Sequence, residues 1–204
     1  YNTFKTAAIR PSGNGFTGAP IIAPDELNRQ KGEISLNDLE DMLSGFAYDA
    51  CYNHSAQSMK NYFLVWDYAI NQGFAFGSGM GTNHHYGYQI RKIYTTAWLM
   101  RDAIWKAPNR DNILSALIFW SALQETRIPY QYGRDELLDS WHTLLMPKTI
   151  SALMFVDERE RARALTGLSR WLSGSLQYSP GTIGGIKVDG TTFHHGGFYP
   201  AYTT

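Results

Sequence analysis

The 204-residue chain is poor in cysteine, in long apolar runs and in any excess of one charge. A single cysteine, Cys51, excludes an intrachain disulfide and a cysteine-based zinc cluster, and its thiol reads as a small buried apolar group. No apolar stretch approaches the ~20 residues of a membrane-spanning helix. The N-terminus lacks the basic and apolar pattern of a secretory signal. The chain does not begin with Met, so it reads as a piece of something longer, and the missing signal says little about where the parent works. Lys plus Arg and Asp plus Glu number 18 each, so the basic excess of a nucleic-acid binder is absent. An acidic polymer would have to be held by a local basic or aromatic groove, because no global positive field attracts it.

What is present is mostly helical patterning, with 44% hydrophobic residues to fill a core. Residues 1–32 are rich in Gly, Pro, Asn and Thr and read as an irregular lead-in or interdomain connection. Ser35 to Asp38 has the spacing of a capping box, and an amphipathic stretch follows to Tyr52. Ser55 to Asn71 and Ile90 to Ile104 carry apolar residues at three- and four-residue spacing. Ile113 to Leu123 is apolar nearly all round, the pattern of a buried helix. Pro147 suits the first turn of a helix from Lys148 to Phe155, and Asp157 opens another whose apolar face includes Leu168 and Trp171. The expected class is therefore all-α up to Tyr178, as a bundle, a solenoid or a closed α/α toroid.

Two segments break the helical period. Gly73 to Gly87 is a Gly-rich loop ending in Asn83-His84-His85-Tyr86-Gly87, and Ser179 to Thr204 is a second with a polar, aromatic end. Four of the six histidines, His84, His85, His194 and His195, lie in them. Long loops in compact domains often carry function. His54 and His142 fall in helical patterns and read as structural. The Gly-Ser-Gly-Met-Gly run lacks the Lys-Ser/Thr ending and preceding strand of a nucleotide loop. No G-x-S-x-G elbow is present, and the histidine pair has no further ligands at a recognised metal spacing. In the tail, His195 and Tyr202 place an imidazole beside a phenol, groups able to exchange protons when neighbours tune them. From the residues alone, structural aromatics in a Gly-rich loop remain the simpler account.

The stretch from Gly185 through Asp189-Gly190-Thr191 and His195-Gly196-Gly197-Phe198-Tyr199-Pro200-Ala201-Tyr202 resembles the active-site segment of the chondroitin and hyaluronan lyase family, with its broad-specificity ABC lyases as the nearest likeness. There D-G-T precedes a catalytic His and Tyr seven residues apart, the spacing of His195 and Tyr202. Thr82-Asn83-His84-His85-Tyr86-Gly87-Tyr88 resembles a second family segment that opens a helix. The resemblance covers Asn61 to Thr204. One departure is His194, where some members place Arg before the catalytic His.

The resemblance implies that 33–204 are part of an incomplete α/α toroid catalytic domain, truncated at its C-terminal end and followed in the family by β-sandwich domains absent here. An Arg and a Glu downstream would complete a catalytic tetrad. The chain stops two residues past Tyr202, so a fragment is expected, inactive and poorly stable by itself. The implied reaction is β-elimination at the uronate of chondroitin or dermatan sulfate, with hyaluronan as a further substrate. Tyr202 and His195 share the proton transfers in either assignment, and His85 serves the opposite face of the sugar. Asn83, His84, His194 and Tyr199 are the expected substrate contacts. No cofactor is required, no metal site is expected among these residues, and calcium or magnesium is admitted as an addition because similar enzymes respond to divalent cations. The expected partner is a glycosaminoglycan, with neither nucleic acid nor membrane, acting on a monomer in the periplasm or outside the cell. Alternatives are a toroidal lyase of alginate or heparin-like polymers and a non-catalytic glycan-binding helical module. Hydrolysis is disfavoured, because it needs two facing carboxylates and only Asp189 lies in a candidate loop.

Overall fold

The computed structural model describes residues 2–22, 32–78, 84–131, 137–179, 181, 185–194 and 197–198, without the side chains of 84, 85, 137, 194 and 198. It is mostly helical, as the periodicity predicts, and divides into two compact units, Tyr1–Trp120 and Ser121–Thr204.

The first unit opens with α1 (Asn2–Ala7) and a hairpin of β1 (Arg10–Ser12) and β2 (Gly15–Thr17), where an irregular lead-in was expected. Arg10 pairs with Thr17 and Ser12 with Gly15, leaving a two-residue turn at Gly13-Asn14. Gly13 takes φ +56 there, as the first turn position of a II′ hairpin requires. Next comes α2 (Leu36–Tyr52), whose capping box forms as read: the Ser35 hydroxyl accepts the Asp38 N–H at 3.1 Å, and Asp38 accepts the Ser35 N–H at 2.9 Å. A short connection leads into α3 (Ala56–Asn71), capped by the Ser55 hydroxyl. His54 lies in that connection with φ +55, outside the helical pattern assigned to it.

The stretch read as one helix from Ile90 to Ile104 is two, α4 (Arg91–Leu99) and α5 (Arg101–Ile104), broken at Met100. Glu40 and Asp41 near the start of α2 meet Lys92 at the start of α4, while Cys51 Sγ lies 3.3 Å from Met100 Sδ at their far ends. Helices α2 and α4 therefore run parallel, with α3 between them in sequence and packed on α2. Leu39, Leu43 and Ala47 of α2, Val65 and Trp66 of α3, and Ile93 of α4 are all fully buried. In α6 (Arg110–Trp120) only Ile113, Ala116, Leu117 and Trp120 are buried. That is one face of a helix rather than the whole circumference expected. The Tyr94 hydroxyl donates to the Leu117 carbonyl at 2.7 Å and joins α4 to α6.

In the second unit, α7 (Leu137–Asp139) and α8 (Leu145–Leu153) flank a π-helical turn, Ser140–Leu144. Pro147 is not at a helix start as expected; it is the third residue of α8. It has no N–H for the Thr143 carbonyl, and a wide turn directly upstream is a common accommodation of such a missing bond. Helix α9 (Glu158–Ser175) starts where the sequence placed it, with Asp157 Oδ1 accepting from the Arg159 and Glu160 N–H groups. Gly167 lets α9 approach the Thr126 carbonyl, which a Cβ would meet at 2.9 Å.

Replacing Ser35 with Ala removes one partner of the α2 capping box. The expected cost is about 1 kcal/mol of stability, read as a lowered denaturation midpoint with unchanged helix content.

Candidate active site

The tail motif is built on a small self-contained frame. Beyond α9, the Ser179 N–H donates to the Ile186 carbonyl at 2.9 Å, and the Ser179 hydroxyl donates to the same oxygen at 3.1 Å. Ile186 bridges Thr192 in antiparallel fashion, and the Phe193 N–H donates to the Gly185 carbonyl at 3.0 Å. Inside this bridge, the Gly190 N–H donates to the Lys187 carbonyl at 2.9 Å and the Lys187 N–H to the Thr191 carbonyl at 2.8 Å. Gly190 has φ +82, a conformation costly for residues with a Cβ. Asp189 Oδ1 accepts both the Thr191 N–H at 3.0 Å and the Thr191 hydroxyl at 2.8 Å. These bonds favour the ionised carboxylate and hold its pKa below the ordinary range. The D-G-T of the motif is thus a turn that its own side chains close.

Lys187 lies within this turn and is only 5% exposed. Its ammonium donates to Ser179 Oγ at 3.2 Å and lies 5.3 Å from the centroid of the buried Phe193 ring. Burial lowers its pKa, and the Asp189 charge opposes that shift. Lys187 was quoted within the family motif but given no role; nothing in a sequence shows that a lysine flanking a turn folds inward. From this base leaves β3 (Phe193–His194), paired antiparallel with β4 (Gly197–Phe198). Phe193 faces Phe198 in register and His194 faces Gly197, so His195 and Gly196 are the residues between the paired strands in sequence.

Of the predicted site residues, His194 is therefore in β3, without a described side chain. His195, Tyr199 and Tyr202 lie outside the described residues, as does Asn83. His84 and His85 begin a 3-10 turn, His84–Gln89, that runs into α4. Their side chains are not described. This second segment also has a frame. The Tyr86 ring meets Trp120 edge-on at 5.4 Å, and Phe74, just after α3, stacks on the same indole at 5.1 Å. No side chain of its own caps α4, and the buried Glu40 carboxylate of α2 supplies the cap by accepting the Lys92 N–H at 2.5 Å. Burial raises the Glu40 pKa, and the Lys92 N–H bond opposes that shift. Among the described residues no group of three His, Cys, Asp or Glu side chains is placed to hold a metal ion.

Both frames hold segments whose counterparts are found in known lyases. A family model described as "Lyase, catalytic" matches residues 1–204. The chain belongs to this lyase catalytic family. Among curated relatives, it is 35% identical over 149 residues to a chondroitin sulfate ABC exolyase of Bacteroides thetaiotaomicron, covering 72% of this chain and 14% of the relative. It is 31% identical over 194 residues to a chondroitin sulfate ABC endolyase of Proteus vulgaris, covering 90% of this chain and 19% of the relative. A chondroitin sulfate ABC exolyase of Proteus vulgaris is 31% identical over 185 residues, covering 85% and 18%. The chain thus spans less than a fifth of the length of these relatives.

Asp189→Ala would remove both acceptor contacts that close the tail turn. Faster hydrogen exchange at the Thr191 amide, by several-fold, is expected, while exchange in α2 and α3 stays unchanged.

Proposed function

We propose that this chain forms part of the active site of a lyase that cleaves chondroitin or dermatan sulfate by β-elimination, with hyaluronan as a further substrate. The observation that carries this reading is the match of the whole chain to a lyase catalytic family, with His195 and Tyr202 at the family's seven-residue spacing. The toroidal closure of the helices belongs to the same proposal.

The hydrogen at uronate C5 lies next to a carboxylate, so its removal builds negative charge on that group. A base takes the C5 proton, the electron pair forms the C4–C5 double bond, and the C4–oxygen bond breaks. The departing oxygen takes a proton from a general acid. Tyr202 is assigned the proton transfers, and His195 stabilises the tyrosinate or the uronate carboxylate. A phenol with an ordinary pKa of about 10 needs such a neighbour to act as a base near neutrality. Asn83, His84, His194 and Tyr199 are assigned to substrate contact. Glucuronate and iduronate present the C5 hydrogen on opposite ring faces, so His85, on a separate segment, is assigned to the second face. These steps need no bound cofactor. The size of the polymer places the enzyme in the periplasm or outside the cell, where it is expected to act as a monomer.

The test is near-ultraviolet absorbance of the full-length protein with chondroitin sulfate. An unsaturated uronate should appear, and Tyr202→Phe should lower its rate by at least ~100-fold, the lower end of a general acid–base contribution. Intact polymer would leave a glycan-binding module or a lyase of another uronate polymer in its place. For the second-face assignment, His85→Ala should slow cleavage of iduronate-rich dermatan more than that of glucuronate-rich chondroitin. Equal losses on both polymers would remove His85 from that role.

A further inference from the structure

The first unit carries a groove that the proposed chemistry does not use. It lies along α3, the β1–β2 hairpin and the connection from α5 to α6, with a volume of about 830 Å³. A neighbouring hollow of about 550 Å³ shares Phe16, Asp67, Pro108 and Asn109 with it, so the two form one continuous furrow. None of the residues lining either hollow belongs to the segments that hold the candidate catalytic groups.

The lining falls into three kinds of group. Phe16, Phe63, Leu64 and Pro108 supply flat apolar surface, all at least half-buried except the exposed Pro108. Lys60 and Lys106 stand exposed along the first hollow, and neither makes an ion pair with a described carboxylate. Amides dominate the second hollow, where Asn14, Asn71 and Asn112 join Asn109. The one acid, Asp67, accepts a hydrogen bond from the Asn109 amide at 2.5 Å, which ties the α5–α6 connection to α3 and engages the carboxylate.

Apolar faces, amides and cations together match one ligand chemistry. Ring faces of sugars lie on apolar side chains, hydroxyls and acetamido groups pair with amides, and sulfate or carboxylate groups seek ammonium ions. A nucleic acid would demand a higher density of cations than two lysines, and a polypeptide segment would leave the lysines and the row of amides without a purpose.

We propose that this furrow is a second, non-catalytic binding site for an acidic oligosaccharide, holding a stretch of the polymer distant from the bond being cut. The proposal rests on the lyase reading given above for the identity of its polymer. Two engaged lysines at an exposed site account for a gain of roughly three- to tenfold in affinity, since each exposed ion pair contributes up to ~1 kcal/mol. The furrow therefore acts on the capture of long chains and leaves the bond-breaking step alone.

The test uses the full-length protein and its Lys60→Glu/Lys106→Glu variant. Cleavage is followed on polymeric chondroitin sulfate and on a chondroitin tetrasaccharide too short to reach the furrow. Binding of the polymer is measured in parallel by calorimetry with Tyr202→Phe as the background. The expected result is a KM for the polymer raised about three- to tenfold, with kcat unchanged, tetrasaccharide kinetics unchanged and polymer binding weakened by the same factor. Equal effects on both substrates, or none on either, would overturn the furrow as a site. A lowered thermal midpoint with unchanged binding would show it covered by polypeptide and overturn it as well. Wild-type protein that binds the polymer through these lysines yet makes no unsaturated product would refute the lyase reading while the furrow stands. Protein that neither binds nor cleaves would refute both.

Discussion

The Glu40 carboxylate sits buried at the N-terminus of α4, where it takes the Lys92 N–H that no local side chain caps. Its second oxygen lies 3.7 Å from the Lys92 ammonium, and that ammonium also meets Asp41 at 2.8 Å. One acid thus answers the positive end of a helix, an orphan N–H and a lysine. This fixes where α4 begins against α2, and so where the preceding turn, His84–Gln89, must leave the core. The parallel pairing of α2 and α4 depends on it at one end, as the contact of Cys51 with Met100 closes the other.

The same device recurs at the tail in a different form. Lys187 is buried as Glu40 is, and each is satisfied by neighbours rather than exposed to solvent. A buried ion is costly unless hydrogen-bonded, so both positions tolerate few alternatives. Both support segments that carry histidines. The family's chemistry requires precise placement of proton-transfer groups, and a rigid base beneath a Gly-rich segment supplies it. The glycines let the backbone turn and approach a ligand; the buried charges keep the turn from wandering.

Much of this framework could be read before any coordinates. Ser35 with Asp38, Ser55, and Asp157 announced three helix starts, because a capping residue and its partners lie within one turn of sequence. The motif around Asp189 to Tyr202 could be recognised as a segment. What stayed hidden depends on contacts distant in sequence or on short elements. The β1–β2 hairpin has three-residue strands, too short for a period of two to register, although Gly13-Asn14 carried a turn signal. The break at Met100 leaves no Gly or Pro to mark it. Pro147 sits inside a helix because a π-turn precedes it, which no propensity reports. Glu40 and Lys187 could not be found either: their partners lie 52 and 8 residues away, and a charged residue reads as surface until its burial is known.

The central claim is elimination in place of hydrolysis, and cleavage of chondroitin sulfate by the full-length protein in heavy-oxygen water tests it directly. The account predicts products lighter by one water than the hydrolytic ones and without incorporated label, since the C4–oxygen bond breaks with no water added. Products carrying one heavy oxygen would contradict it and return the site to a hydrolase.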